Sequence, residues 1–431
     1  MPALLSTYPA LAARLALAAR LLYAEGTRAV VERWRDRRLD EQRAQRFEVA
    51  EPAAFLQSLS AAARAPTLWV LPFPLQRRRG GAAIQLLVRL EERARAEPVA
   101  LLQRLPDRWR CELWGRGVER PVAREWQAGG SGLPGIDSSA LPTLLEAARW
   151  VGATRLHFES LVDLPLALPL EVREHGIAFG LSAHDFTLFC QRPHLIEEPL
   201  GHFCDFSTDP LRCAHCLAVH WRLPEGYQEE RRAIATRLVA AADLLEFPSE
   251  YMRREHRRLY PAIDSSRTRV VPPRSLAEDL PPPTRPVHRP PRRIAFAGAV
   301  HRHKGAVELE AVVRRLATLR RDAFEWHVFG GGDPVLLRRL RRLPRMQVHG
   351  YYRAGSLPAR LRSAKIDLVL LLSIWPEAHC LVLDECAAAG VPVVAFDLGA
   401  LGERVREADW GVVVDPRAGA EGVASLIASR D

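Results

Sequence analysis

Two glutamates carry the clearest chemistry in the chain. Glu377 and Glu385 are separated by seven residues within Trp375-Pro-Glu-Ala-His-Cys-Leu-Val-Leu-Asp-Glu-Cys-Ala-Ala-Ala-Gly-Val-Pro-Val-Val-Ala395. Glu377 falls in the loop after an apolar strand, and Glu385 about two turns along the helix that follows. Backbone N–H groups at a helix start favour anions. A diphosphate fits there while the two carboxylates take hydroxyl groups. Lys304, in His303-Lys-Gly305, is a compact point charge suited to the same anion. A third group is Ser182-Ala-His184-Asp185 at a strand end. The fourth is sulfur: Cys190, Cys204, Cys213 and Cys216, the last two a C-x2-C pair with His215 between them and His202 nearby. Four thiols so close together suit a tetrahedral zinc; reduced buried thiols are the alternative.

The elements that must position these groups follow a regular rhythm. Residues 1–65 read as a basic amphipathic helical extension, able to dock on an anionic membrane or on its own domain. Residues 66–271 alternate strand and helix, as in a parallel sheet, and are interrupted by a Cys-rich insert, 186–217, without regular structure. Prolines crowd 272–291, which excludes helix and central strand and marks a linker. A second strand–helix alternation fills 292–431. Two such halves suggest a ligand cleft outside the carboxyl ends of their strands.

Composition excludes several classes. The chain of 431 residues is 48% apolar and 26% charged, which suits a globular protein and not a disordered one. No stretch approaches the roughly 18–20 apolar residues of a membrane helix. The net charge of +10 is spread along the chain without aromatic interleaving, so no nucleic-acid partner is expected. Seven cysteines in a chain this long do not make a disulfide scaffold, and a cytoplasmic setting is expected.

The segment 375–395 resembles the Glu-x7-Glu motif of retaining family 4 glycosyltransferases, whose fold is GT-B: two Rossmann-like α/β domains facing a cleft. The resemblance implies that Glu377 contacts the donor sugar and Glu385 the ribose. It also implies that Lys304 contacts the diphosphate, beside glycine turns at Gly298 and Gly330. Where the family carries Arg after the first glycine the chain has Ala299, and Arg302 on the same turn is the candidate substitute. In the first half, His184 and Asp185 resemble the family's His-Asp near the reacting centre, and Gly80-Gly81 its glycine loop. His-Asp followed by a Cys cluster is similar to a bacterial subgroup that builds O-antigen and other surface polysaccharides. The expected partners are then a UDP- or GDP-sugar and a glycan or polyprenyl-linked acceptor, with peripheral contact at the inner membrane. No cofactor is expected in catalysis, and no Asp-x-Asp pair stands ready to hold a divalent ion. The competing readings are a degenerate GT-B scaffold without turnover and a different GT-B enzyme, such as an epimerase or a trehalose-type synthase.

Overall fold

A computed structural model describes residues 19, 22–44, 51–58, 65–75, 81–115, 122–128, 140–274, 291–319 and 323–429. The chain forms two compact units. One is Leu39–Arg274; the other joins Met1–Arg38 to Ser275–Asp431. The helical stretch expected over 1–65 is thus divided between the units, with helices at Thr27–Ala44 and Pro52–Ser58 among its described residues. Of the expected linker 272–291, residues 275–290 lie outside the described residues.

The unit Leu39–Arg274 is built on β1 (Thr67–Leu71), β2 (Val99–Arg104), β3 (Arg108–Trp114), β4 (Val122–Gln127), β5 (Arg155–Phe158), β6 (Ala178–Ser182), a small hairpin of β7 (Ile196–Glu197) and β8 (His202–Phe203), β9 (Leu244–Phe247) and β10 (Thr268–Val270). The main sheet runs β10-β9-β6-β5-β1-β2-β3-β4. Six strands are parallel, and β3 and β4 extend the edge as an antiparallel meander. The parallel strands are nearly continuous apolar runs, as a sheet covered on both faces requires. Thus Leu68, Trp69, Val70 and Leu71 of β1 are all buried. The helix Gly81–Arg93 packs Ala83, Leu86, Leu87 and Leu90 on Trp69 and Leu101. Strand β1 has β2 on one flank and β5 on the other, so the winding reverses there and opens a crevice at the carboxyl ends.

The insert 186–217 departs from its expectation of irregular chain. Besides the β7–β8 hairpin it begins the helix Pro210–Ala218. Asp209 caps that helix, accepting from the Arg212 N–H at 3.1 Å, and proline stands at its first position, where no N–H is needed.

The second unit carries β11 (Arg293–Ala297), β12 (Glu325–Phe329), β13 (Met346–Gly350), β14 (Leu368–Leu371), β15 (Val393–Phe396) and β16 (Gly411–Val414). They form an all-parallel sheet in the order β13-β12-β11-β14-β15-β16. This is the doubly wound order of nucleotide-binding folds, with its switch point between β11 and β14. One apolar layer joins Phe296, Leu370 and Phe396 to the helices Ala306–Leu319 and Gly419–Ala428. The other joins Leu361, Cys386 and Val405.

Residues 22–38 belong to this second unit through specific contacts. Ala24 sits in its core. Glu25 accepts from Arg33 at 2.7 Å and from the Tyr351 N–H at 3.1 Å. Asp36 accepts from the Tyr351 hydroxyl at 2.6 Å and from Arg353 at 3.1 Å, and Glu32 pairs with Arg360. At Gly350 a side chain would lie 2.4 Å from the Glu25 carbonyl oxygen, so only glycine lets the helix sit this close.

Candidate functional site

In the second unit the groups singled out in the sequence gather on loops at the carboxyl ends of β11, β12 and β14. Gly298 directly follows β11 with φ at 117°, and its N–H donates to the Phe329 carbonyl at 2.9 Å. A side chain at Gly330 would lie 1.7 Å from the Gly298 carbonyl oxygen. Backbone therefore meets backbone between these two loops. Arg302 and Lys304 share one 3-10 turn, Arg302–Lys304, which ends at Gly305 with φ at 85°. A side chain on Gly305 would collide with the Leu372 carbonyl oxygen at 1.9 Å. That close approach brings the lysine turn against the end of β14, where Ile374 donates to the His303 carbonyl at 3.0 Å.

The result is an ion pair. Lys304 Nζ lies 2.9 Å from Glu377 Oε2, with the lysine side chain 26% exposed and the glutamate 7%. The Ser373 hydroxyl donates to the other carboxylate oxygen, and the lysine also lies over the Trp375 ring, 5.3 Å from its centre. Glu377 is buried, so this matched pairing is what makes its charge tolerable there. Just beyond, Cys380 takes a left-handed backbone, φ 72°, before the helix Leu381–Ala389 begins. Such a conformation costs a non-glycine residue about 1–3 kcal/mol and is typical of functional loops.

Glu385 does not join this pair. It lies on Leu381–Ala389 and accepts from the Gly355 N–H at 2.9 Å, at the loop after β13. Burial pushes its carboxyl up to about 7, against the pull of the Gly355 and Leu357 N–H groups and with the help of Asp384. A raised carboxyl stabilises the fold most below its ordinary value near 4.5, and stability falls as pH climbs from there to about 7. Glu385→Gln removes that slope. The variant is expected to exceed the wild type in stability at pH 8 by up to about 3 kcal/mol, and to match it at pH 4. Urea midpoints at the two values test this; an unchanged slope counts against it.

In the unit Leu39–Arg274, His184 follows β6 and its Nε2 lies 2.7 Å from Glu159 Oε2. Asp185 accepts from the Thr187 N–H at 2.8 Å and turns the chain there. His184 and Asp185 line a small pocket together with Glu159, Ser160 and Ser182. Glu159 belongs to a buried polar cluster. Arg89 lies 3.5 Å from it and 2.5 Å from Glu246, while His157 lies 2.8 Å from the Ser182 hydroxyl and 3.6 Å from Glu246. Burial alone would raise Glu159; the hydrogen bond and charge of His184, with His157 and Arg89, overcome this and hold it at about 2. Burial would lower His184, but its bond to Glu159 and the charge of Asp185 raise it.

Among the described residues, His157, Glu159 and Glu246 bring three metal-capable atoms within 4.8 Å of one another. Arg89 pairs with both carboxylates and supplies the positive charge at that point. The sequence reading passed over Arg89, His157, Glu159 and Glu246. The available signal was polar residues set in or directly after apolar strands, as in Leu244-Leu-Glu-Phe247 and Arg155-Leu-His-Phe-Glu159. Gly81 is the first residue of the helix Gly81–Arg93, and Gly80 lies outside the described residues. Cys190, Cys204, Cys213 and Cys216 are all free thiols within or beside the hairpin-helix insert.

Comparison with known proteins gives this geometry a context. Residues 291–429 match the family model described as glycosyl transferases group 1. No curated protein matches the chain by sequence. Among solved structures, the sucrose-phosphate synthase of Thermosynechococcus elongatus aligns with a TM-score of 0.55 at 19% identity, over 85% of this chain and 89% of that one. Anabaena HepE in complex with UDP aligns at 0.53 and 14% identity, over 84% and 89%. The α,α-trehalose-phosphate synthase (UDP-forming) of Burkholderia vietnamiensis aligns at 0.51 and 14%, over 85% and 89%. The likeness to these three is one of fold, and the fold is GT-B, with two parallel-sheet α/β domains. The chain thus carries a group 1 glycosyltransferase domain within a GT-B fold, the build of a transferase enzyme. No helix among the described residues is long and apolar enough to cross a membrane.

Proposed function

We propose that this chain is a retaining glycosyltransferase of the family 4 type. It moves a sugar from a nucleoside-diphosphate donor to a glycan or polyprenyl-linked acceptor, in the synthesis of a bacterial surface polysaccharide. The observation that carries the reading is the Lys304–Glu377 ion pair, held against the end of β14 with Glu385 on the next helix. A site built this way offers a cation for phosphate oxygens, a carboxylate for sugar hydroxyls and a second carboxylate for a ribose.

As the diphosphate leaves, negative charge builds on its oxygens. Lys304 and the N–H groups at the start of Leu381–Ala389 stabilise that charge. Glu377 orients the sugar and does not attack it. His184 and Asp185 position donor or acceptor from their own domain, and catalysis uses no bound metal. Arg302, on the lysine turn, takes the place of the arginine that Ala299 lacks. The protein works in the cytoplasm, with peripheral contact at the inner membrane. UDP is the first nucleotide to test, because two of the similar structures are described with it. The second reading, a scaffold that has lost turnover, rests on Ala299.

The test is calorimetric titration of the whole chain with UDP, GDP and their common sugar conjugates, without added metal, in wild type and Glu385→Ala. Micromolar binding of one nucleotide, lost in the variant, supports the donor site and names the base. If no nucleotide sugar binds, the transferase reading gives way to the scaffold.

A further inference from the structure

The insert after His184-Asp185 carries four thiols that the reaction above does not use. Cys190 closes the turn that follows the pocket, its N–H donating to Phe186 at 2.9 Å. Cys204 directly follows β8, and its N–H donates at 2.9 Å to Leu195, directly before β7, so it sits at the base of the hairpin. Cys213 and Cys216 lie three positions apart on the helix Pro210–Ala218 and are both buried, so they share one helix face. Two residues link the thiols in pairs: Arg192 reaches Cys190 Sγ with its N–H and the Cys216 carbonyl with its guanidinium at 2.9 Å, and Ser207 reaches the Cys204 carbonyl with its N–H and Cys213 Sγ with its carbonyl oxygen. None of the four is in a disulfide.

Three of the sulfurs also accept a hydrogen bond. The Arg192 N–H points at Cys190 Sγ at 3.4 Å, and the Glu198 N–H at Cys216 Sγ at 3.3 Å. The Arg232 guanidinium serves Cys213 at 3.5 Å, and the Ser207 N–H donates to the Cys204 carbonyl at 3.1 Å. The Cys213 thiol in turn donates to the Ser207 carbonyl oxygen at 3.6 Å. N–H groups near a sulfur also stabilise the thiolate that forms when a metal displaces the thiol proton. His215, the imidazole between the helix thiols, is exposed, and His202 is occupied 3.3 Å from Glu197.

We propose that Cys190, Cys204, Cys213 and Cys216 hold a structural zinc ion, two thiolates from the chain flanking the hairpin and two from the helix. No three of these sulfurs lie within 4.8 Å of one another, so binding draws them together by side-chain rotation between staggered wells. With four thiolates the tetrahedral shell is closed, so the ion takes no part in chemistry. It ties the insert to the turn at Cys190, six residues after His184, and so braces one wall of the pocket. Neither the donor site nor sugar transfer is assumed.

The experiment measures metal content of the full chain, purified with reductant and without chelator or affinity metal. One equivalent of zinc is expected in the wild type and in His202→Ala and His215→Ala, and loss of it in Cys213→Ser. A wild type without zinc, or a Cys213→Ser variant that keeps it, overturns the assignment. If Cys213→Ser does not fold, thiol counting on the wild type decides. Four thiols that react only after a chelator is added support the site; thiols that react equally with and without it overturn it.

Discussion

Replacing Lys304 by methionine is expected to lower sugar transfer by about 10²–10³ in kcat, the usual cost of removing one charge aimed at a developing anion. Methionine keeps an unbranched apolar stem of four heavy atoms and loses only the ammonium, with its place over the Trp375 ring, so packing changes little. The variant leaves Glu377 buried with the Ser373 hydroxyl as its remaining named partner. That exposes a structural cost of about 1–3 kcal/mol, to be separated from the catalytic one. The double variant Lys304→Met with Glu377→Gln makes the separation, because it removes both charges at once. It is expected to regain most of the lost stability and none of the lost turnover. Turnover that stays within tenfold of wild type in Lys304→Met would remove the lysine from the diphosphate site.

The second large effect lies at Glu159. In Glu159→Gln the cluster of Arg89, His157 and His184 loses the carboxylate that joins them. Glu159 is held at about 2 against an ordinary 4.5, so its contribution is complete above 4.5 and disappears as pH falls towards 2. His184 is raised above its ordinary 6.5, so its contribution is complete below 6.5 and fades as pH rises through its folded value. The gap between wild type and variant is therefore widest near pH 5–6, on the order of 3 kcal/mol, and narrows on either side. Urea midpoints at pH 3, 5.5 and 9 measure it. NMR titration of the His184 imidazole should show its pKa falling in the variant, which a merely structural role for Glu159 would not produce. An equal gap at every pH rules the coupling out.

Much of this architecture is legible in the sequence, because parallel strands covered on both faces write themselves as short apolar runs between helices. Ile294–Gly298, Ile366–Leu372 and Val391–Phe396 are of this kind, and each overlaps an observed strand. The glutamate spacing and the Lys-Gly step are local and equally visible. What the sequence does not show is pairing across distance. Glu159 meets His184 only because β5 and β6 are neighbours. The helix Pro210–Ala218 is obscured because its cysteines and its one proline also suit an irregular insert, although Asp209-Pro210 is a sound start signal. Strand β10 is three residues long and only partly buried, too short to leave a pattern.

The attachment of residues 22–38 has a consequence for how the protein is made. The unit that carries Glu377 and Glu385 is discontinuous, its two lengths of chain separated by the whole of the other unit. Asp36 finds the Tyr351 hydroxyl 315 positions later, and Glu32 finds Arg360 after 328. At a synthesis rate of about 5–20 residues per second, the early helix waits roughly 15–60 s for its partners to leave the ribosome. Through that interval Ala24, Glu25 and Asp36, all buried in the finished fold, have no surface of their own unit to meet. The intervening unit is complete in sequence first. The order of synthesis therefore runs inward-out: the middle of the chain closes before its two flanks can join, and a fragment beginning at residue 291 lacks the acidic side chains that fix Tyr351, Arg353 and Arg360.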